Sequence, residues 1–263
     1  MNVNHLKIIG RKGGLARAKL YGNFGTTEGR RLGGLRSIQT HIKNKMGFKV
    51  LKQITTPGHS VRLAELIGIF MGDGHVGFYQ ASVVTNSETD FQHALFVKTI
   101  IEDLFKVKVS LSNRRDKKAC EIVVSSKSVC HFFVGQGIPQ GNKITMGLHI
   151  PNWIKKKIIY RKAFVRGLFD TDGCVYLDTH RIGRKVYKNL GMAFANQSPP
   201  LLDFFKETLE LFGLHPTQKT DFRVFLRRRE DIRRYFEIIG SSNEKHIKKI
   251  HQYFYDYEKG GVA

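Results

Sequence analysis

The sequence predicts an α+β protein made of two similar halves behind a basic N-terminal extension. Three observations indicate this fold class: a glycine-rich motif occurs twice, the same order of helical and extended patterns follows each copy, and positive charge is concentrated near the N-terminus. The chain has 263 residues, of which 41% are hydrophobic, enough for a sizeable core. We predict an extension over 1–60, a first half over 61–154 and a second half over 155–263.

The N-terminal extension carries half of the net charge. Residues 1–60 contain twelve Lys or Arg and one acid, Glu28, a net +11 out of +22 for the chain. GRKGGLARA at 10–18 is echoed by GRRLGGLRS at 29–37, so each copy places basic residues beside a Gly-Gly-Leu. The glycine pairs predict sharp turns or a close approach to a phosphate-bearing surface. A flexible basic tail that only raises solubility fits equally well.

The glycine-rich motif is repeated at a fixed distance. LAELIGIFMGDGHV at 63–76 is matched by KAFVRGLFDTDGCV at 162–175. Adding 99 carries seven positions onto identical residues: Arg62, Ala64, Gly68, Phe70, Asp73, Gly74 and Val76 onto Arg161, Ala163, Gly167, Phe169, Asp172, Gly173 and Val175. This many identities at one offset indicate duplicated halves.

The segments after each motif alternate between extended and helical patterns. The first motif is followed by QASVVTNSE, FQHALFVKTIIEDLF, ACEIVVSS and SVCHFFVGQG, and the second by LGMAFANQS, LLDFFKETLELFG, FRVFLRR and EDIRRYFEIIG. β-Branched and aromatic residues favour strands in the shorter runs, and apolar residues at helical spacing favour helices in the longer ones. Each half is thus predicted as helix, strands, helix, strands, helix. A basic insertion, DTHRIGRKVYKN, predicts a protruding hairpin in the second half.

Each motif helix carries a stripe of small residues four positions apart. The stripes consist of Ala64, Gly68 and Gly72 in the first helix and of Ala163, Gly167 and Thr171 in the second. Glycine inside a helix costs ~1 kcal/mol relative to alanine, so close contact between the two backbones is the expected compensation. Packing along the stripes brings the helix ends together, with Gly74 and Gly173 predicted as left-handed caps.

The converging ends carry one carboxylate each, Asp73 and Asp172. A carboxylate at a helix C-terminus faces the negative end of the helix dipole, and two of them repel each other. Divalent cations between the carboxylates relieve both penalties. Because oxygen ligands shared with phosphate suit Mg²⁺, we predict Mg²⁺ at this position.

Charge and cysteine content restrict the class of protein. A net charge of +22 and a pI near 10 indicate a polyanionic partner. No apolar run approaches the ~20 residues that span a bilayer, and the N-terminus lacks the core of a signal peptide, so we expect an intracellular protein in cytoplasm, nucleoid or organelle matrix. Cys120, Cys130 and Cys174 lack CxxC spacing and are interpreted as reduced structural thiols.

The double motif resembles that of the monomeric LAGLIDADG homing endonucleases. LIGIFMGDG and VRGLFDTDG, with the element order above, carry this resemblance over residues 61–255. It implies two pseudo-symmetric αββαββα halves whose sheets form a β-saddle over DNA. It also implies a monomer that uses Mg²⁺, at two or more ions, to cut both strands of a long asymmetric site, leaving short 3′ overhangs.

The resemblance implies roles for single residues. The last acid of each family motif falls on Asp73 and Asp172, as catalytic metal ligands, with the preceding Gly72 and Thr171 completing the metal site. The earlier acidic position is Asp170 in the second motif but Met71 in the first, and that acid is not a metal ligand in the family. Lys143 and Lys245 match basic catalytic residues late in each half, 70 and 73 residues after their aspartates.

Arginines and lysines around the predicted strands are candidates for DNA contact. A two-stranded ribbon fits the major groove, where arginine donates two hydrogen bonds to guanine. Most basic residues at a DNA interface contact phosphate instead. The candidates are Arg11, Lys12, Arg30, Arg31, Arg114, Arg115, Lys117, Arg181, Arg184, Lys185, Arg227 and Arg229.

Two alternatives share this fold: an RNA-binding intron maturase, with intron RNA as its partner, and a cleavage-dead DNA-binding regulator. The retained acids count against both, and a regulator is expected to add a helix-turn-helix, which the sequence does not convincingly contain. An intein is not expected, because the chain has no nucleophile at its start and ends in GGVA. Neither zinc-ligand spacing nor a P-loop is present.

Overall fold

A computed structural model describes residues 3–22, 25–44, 51, 53–114 and 117–258. The chain divides into two compact units, Met1–Leu51 and Lys52–Ala263. None of the described helices has the length and apolar character needed to cross a membrane.

The first unit contains two helices, α1 (Val3–Tyr21) and α2 (Thr27–Lys43). Thr26 caps α2, because its hydroxyl accepts a hydrogen bond from Gly29 N at 3.0 Å. Both Gly-Gly pairs lie inside the helices, so the expectation that they mark sharp turns is wrong. Helical hydrogen bonds along the backbone outweigh the freedom of these glycines, and their neighbouring basic side chains are exposed.

The second unit contains the two predicted halves. The first half comprises α3 (Val61–Gly72), β1 (Gly74–Val76), β2 (Ala81–Asn86), α4 (Phe91–Phe105), β3 (Ser110–Asn113), β4 (Ala119–Val124), α5 (Lys127–Gly135) and α6 (Lys143–Met146). After α7 (Asn152–Lys156), the second half comprises α8 (Ile158–Asp172), β5 (Gly173–Ile182), β6 (Lys185–Ala195), α9 (Pro199–Leu211), β7 (Thr217–Thr220), β8 (Arg223–Leu226), α10 (Arg229–Ile238) and α11 (Glu244–Glu258).

The two sheets have the same topology. Their antiparallel strand orders are β1-β2-β4-β3 and β5-β6-β8-β7. Burial alternates along β4, where Cys120, Ile122 and Val124 face the helices. The αββαββα order of both halves is therefore confirmed. The short strands β1 and β3 were absent from the expected segments, since neither has a long β-branched run.

The basic insertion forms a hairpin, as expected, and does so within the first two strands of the second half. It extends β5 and β6 themselves, which pair continuously from Gly173↔Phe194 to Ile182↔Lys185. Gly183 and Arg184 make the two-residue turn, with Gly183 at a φ of +60°. A positive φ is what tight hairpin turns require, so the insertion lengthens an existing hairpin instead of adding a new one.

Candidate active site

The motif helices α3 and α8 pack backbone against backbone. A Cβ added at Gly68 would lie 3.1 Å from Leu168 N and closer still to Phe164 O. A Cβ added at Gly167 would lie 3.0 Å from Ile69 N and closer still to Glu65 O. No side chain larger than hydrogen fits at either position without moving main-chain atoms.

The contact between these helices continues to their C-terminal ends. A Cβ at Gly72 would meet the side chain of Thr171 and come within 3.2 Å of Asp172 Oδ2. Asp73 is the C-cap of α3, and Asp172 is the last residue of α8. The structure thus brings the two motif aspartates together, with Asp73 exposed and Asp172 half-buried.

Gly74 and Gly173 begin strands β1 and β5 and are not left-handed caps. Gly173 has a φ of −91°, and Gly74 is not among the residues with positive φ. A Cβ at Gly74 would lie 2.5 Å from Phe70 Cα, and one at Gly173 would meet the ring of Phe169. Packing against the preceding helical turn, rather than backbone conformation, therefore accounts for both glycines.

The ionised form is disfavoured at both motif carboxyls. Crowding by the surrounding protein raises the pKa of Asp73, although its side chain still opens to solvent. The same loss of water, together with the charge of Asp73, raises the pKa of Asp172 to about 6. A cation between the carboxyls would favour both ionised forms.

Lys143 lies at the C-terminal end of α3. Its Nζ donates to the main-chain carbonyls of Phe70 at 3.3 Å, Met71 at 3.2 Å and Gly72. These are carbonyls that a helix end leaves without helical partners. Burial lowers the pKa of Lys143, while Asp172 and Asp73 oppose that shift. The lysine thus faces both motif carboxyls, and it also donates to the carbonyl of Gly72, a residue predicted to belong to the metal site.

Lys245, the residue predicted to match Lys143, has a different partner. Its Nζ lies 2.8 Å from Asp90 Oδ1. Its positive charge nevertheless acts on Asp73, where it opposes the rise in pKa that burial causes. The structure therefore places both lysines near the carboxyl pair, but Lys245 forms an ion pair with an acid that sequence reasoning missed.

Asn196 is a second residue of the site that sequence reasoning missed. Its Nδ2 donates to Asp172 Oδ2 at 2.7 Å, and its Oδ1 accepts from Ser198 N at 2.8 Å. Asn86 holds the matching place at the end of β2, where its Oδ1 accepts from Glu88 N at 2.8 Å. The repeated Asn at the end of the second strand of each half, in VVTN and AFAN, was the available signal.

Behind the carboxyl pair, buried polar groups tie α3 to α8. Arg166 donates to both oxygens of Glu65, at 2.9 and 2.7 Å. Asp170 accepts from Ser242 N at 2.8 Å and from the Ser241 hydroxyl. Asp170 is thus engaged within the protein interior, while Met71 is buried in the core.

The remaining ligands for a metal are few. Among the described residues, no three His, Cys, Asp or Glu side chains are grouped so that they could hold an ion. Thr171 Oγ1 donates to Leu168 O at 2.9 Å, so its hydroxyl is engaged within its own helix. Two carboxylates completed by water and phosphate oxygens still suit Mg²⁺, which keeps several waters in protein sites.

Comparison with known proteins finds a family match for part of this chain. Residues 160–240 match the family model of the LAGLIDADG-like domain. This match lies within the second half. The matched region contains α8 and Asp172, so the resemblance based on the motifs is confirmed there.

Two curated relatives match most of this chain but little of their own length. The chain is 24% identical to the tRNA-splicing ligase RtcB of Methanopyrus kandleri over 212 residues. It is 29% identical to the replication factor C small subunit of Methanocaldococcus jannaschii over 222 residues. These matches cover 75% and 76% of this chain, but 21% and 11% of the relatives. Because the names are unrelated and the shares small, neither name indicates this chain's activity.

Solved structures share the fold. A mutant of I-SmaMI aligns over 75% of this chain and 92% of its own, with a TM-score of 0.55 and 9% identity. I-DmoI in complex with DNA and Mn covers 69% of this chain and 97% of its own, with a TM-score of 0.46 and 17% identity. The likeness to I-SmaMI confirms the LAGLIDADG fold and, at 9% identity, nothing beyond the fold.

The predicted DNA-contact residues fall in several places. Arg11, Lys12, Arg30 and Arg31 lie on the helices of the first unit, where Arg31 pairs with Glu28 at 2.8 Å. Arg114 pairs with Glu121 at 3.2 Å, Lys117 is exposed in the β3–β4 turn, and Arg115 lies outside the described residues. Arg181 and Arg184 are exposed near the tip of the β5–β6 hairpin, and Lys185 begins β6.

Arg227 and Arg229 border a cavity on the second sheet. The cavity has a volume of about 490 Å³ and is lined in part by Tyr176, Asp178 and Tyr187. Arg227 lies over the ring of Phe225, 4.9 Å from its centroid, and Arg229 lies over Phe254 at 5.2 Å. This sheet therefore presents aromatic rings together with cationic groups.

Proposed function

We propose that the protein is a site-specific endonuclease that hydrolyses both strands of duplex DNA with divalent metal. The observation that carries the proposal is the meeting of Asp73 and Asp172 at the ends of two helices in backbone contact. Two ionised carboxyls placed together repel each other, and this repulsion costs stability. A maturase or a cleavage-dead regulator, which does not use the pair for cleavage, has no need to accept that cost. The retained pair therefore favours the nuclease over both alternatives.

Asp73 and Asp172 would hold Mg²⁺, at two or more ions, in the proposed site. Metal bound there would supply an activated water and offset charge on the phosphate. Asn196 orients the Asp172 carboxyl through its hydrogen bond, leaving the other oxygen available. Lys143 contributes positive charge beside both carboxyls, where negative charge develops on the phosphate.

The proposed substrate is a long asymmetric DNA site, because the two sheets present different side chains. On the first sheet, the positions that alternate with buried ones include Ser82, Val84 and Glu121. On the second sheet, Tyr176 and Asp178 alternate with buried Val175. Different side chains favour different base pairs, so each half would recognise its own half-site. Cleavage across the minor groove would leave short 3′ overhangs.

We extend the proposal to the first unit as an additional DNA contact. It carries exposed basic side chains on both α1 and α2, including Arg11, Lys12 and Arg30. Basic residues of this kind bind phosphates without reading sequence. The unit would therefore add affinity rather than specificity.

The test is cleavage of a randomised or genomic DNA library in Mg²⁺, followed by sequencing of new ends. Discrete paired breaks at one recurring long sequence are expected from the wild-type protein. Asp73→Asn and Asp172→Asn each remove a metal ligand and retain the side-chain shape, so both should abolish double-strand cleavage while DNA binding persists.

Asp221→Asn serves as the matched control, because Asp221 is an exposed carboxylate in the β7–β8 turn. It should cut like the wild type. Both motif variants should remain folded in a thermal melt, since removing a carboxylate with a raised pKa also removes repulsion. Wild-type rates of cutting by either motif variant would refute the proposal.

A further inference from the structure

The two lysines near the carboxyl pair have unequal electrostatic environments. Lys143 Nζ donates to neutral main-chain carbonyls of α3. Lys245 Nζ instead forms an ion pair with Asp90 Oδ1 at 2.8 Å, and the Asp90 side chain is only 5% exposed. Lys245 is therefore in direct contact with a buried carboxylate, whereas the hydrogen bonds of Lys143 go to neutral carbonyls and the motif carboxyls act on it only through their charge.

The Asp90 side chain contacts Lys245 instead of capping the helix that it precedes. It is the N-cap of α4, yet its side chain makes no capping hydrogen bond. Aspartate at an N-cap ordinarily accepts from the first turn of the helix. Here the carboxylate accepts from Asn243 Nδ2 at 2.7 Å and from Thr89 Oγ1 at 2.9 Å, in addition to Lys245. Three donors thus fix its orientation toward the second half.

Asn243 strengthens the link between Asp90 and Lys245. Its side chain is buried, and its Oδ1 accepts from Lys245 N at 3.1 Å. Its Nδ2 contacts both Asp90 Oδ1 and, at 3.1 Å, Asp170 O. The main chain and the side chain of Lys245 are therefore both anchored to the same buried cluster.

The matching position in the other half has no acid. Asn86 and Asn196 each accept a main-chain N–H two residues on, so they mark equivalent places. Asp90 is the N-cap of α4, whereas the N-cap of α9 is Ser198, which carries no charge. Ser198 and Lys143 line the same cavity, and Ser198 brings no charge to it.

We propose that Asp90 is a positioning residue that restrains Lys245 and makes the two cleavage centres unequal. The strand that depends on Lys143 is cut first, and the strand that depends on Lys245 is cut second. Before Lys245 can meet a phosphate, it must exchange its contact with Asp90. This inference rests on the proposed nuclease function, and it assigns an order to the two cuts.

The test is single-turnover cleavage of the target recovered from the library experiment, with a different label on each strand. The wild type should nick one strand faster than the other. Asp90→Asn removes the charge and keeps the shape, so it should speed the slower strand about fivefold or more, beyond the range for exposed ion pairs, because the Asp90 side chain is largely buried. The faster strand should change less than twofold.

Ser198→Asp provides a second variant that does not threaten folding, because Ser198 is the N-cap of α9, where aspartate is favoured, and its side chain makes no capping hydrogen bond. It places a carboxylate near Lys143 and should slow the faster strand. Asp90→Glu keeps the charge and should preserve the order. Asp103→Asn is the matched control: Asp103 lies in α4, the helix that Asp90 precedes, and its exposed ion pair with Arg62 should leave both rates unchanged when broken.

Lys245→Gln distinguishes positioning from a general structural role. It should leave a nicked product, and Asp90→Asn combined with it should give no further change in the rate of the slower strand. Equal rates for both wild-type strands, or an unchanged ratio in Asp90→Asn, would overturn this inference alone. Absence of any wild-type cleavage would overturn the proposed function and this inference with it.

Discussion

Gly167→Ala adds one methyl group where α8 touches α3. The new Cβ would lie 3.0 Å from Ile69 N and closer to Glu65 O, both main-chain atoms. Main-chain atoms cannot rotate away as a flexible side chain can, so the two helices must separate. The same separation would move Asp172 relative to Asp73.

The expected cost is the difference between two effects. Overpacking of this kind destabilises by about 1–3 kcal/mol, and contact with rigid main chain favours the upper end. Alanine regains ~1 kcal/mol of helix propensity over glycine. The net loss of about 2 kcal/mol corresponds to a fall in Tm of about 4–8 °C for a unit of this size.

Thermal unfolding followed by circular dichroism measures this loss, and a strand-cleavage assay measures the displacement of the site. Gly135→Ala is the matched control, because Gly135 ends α5 with no atom within 4 Å of an added Cβ. Its Tm should be unchanged or slightly raised. A Gly167→Ala protein as stable as the wild type would refute the argument that backbone contact requires glycine.

Three further outcomes are expected. Arg166→Met leaves the buried Glu65 carboxylate without its cation, and urea unfolding at pH 8 should show a free energy of unfolding lower by about 3–5 kcal/mol. The double variant that also carries Glu65→Leu should recover much of this stability. Burial raises the pKa of Asp170 to about 7, so the folded state holds a proton that the unfolded chain releases above about pH 4. The free energy of unfolding therefore falls as pH rises toward 7. Burial lowers the pKa of His93 to about 4, so this histidine makes the free energy of unfolding change with pH in the opposite direction. The contribution of Asp170 is therefore isolated by comparing the wild type with Asp170→Asn. The stability of this variant relative to the wild type should increase from pH 5 to 8. Deleting residues 1–51 should flatten the plot of log affinity against log salt by about 0.9 for each phosphate that the first unit binds, and an unchanged slope would show that this unit does not bind DNA.

The core of the site was predictable because its signals are periodic or repeated. The stripe through Gly68 and Gly167 follows from helical spacing, and the offset of 99 residues pairs Asp73 with Asp172. The repeated Asn86 and Asn196 were equally visible in the sequence. They were missed because asparagine after a strand is common in turns, and only the hydrogen bond to Asp172 distinguishes Asn196.

The contacts of the lysines were not predictable. Lys143 and Lys245 follow their aspartates at similar distances, yet one meets helix carbonyls and the other meets Asp90. Asp90 and Lys245 are separated by 155 positions, a long-range contact that no local pattern encodes. Likewise, the glycines after each motif aspartate suggested backbone caps, whereas ring packing by Phe169 requires Gly173.

The sequence by itself determined the duplication, the alternation of helices and strands in each half, the glycine-lined helices and the two terminal carboxylates, because local propensity and repetition specify these features. Only the tertiary structure decided which groups surround those carboxylates. Folding places Asn196 on Asp172, Lys143 on the end of α3, and Asp90 on Lys245. Such contacts depend on the register between elements far apart in the chain. The near symmetry of the motifs therefore coexists with an asymmetric site.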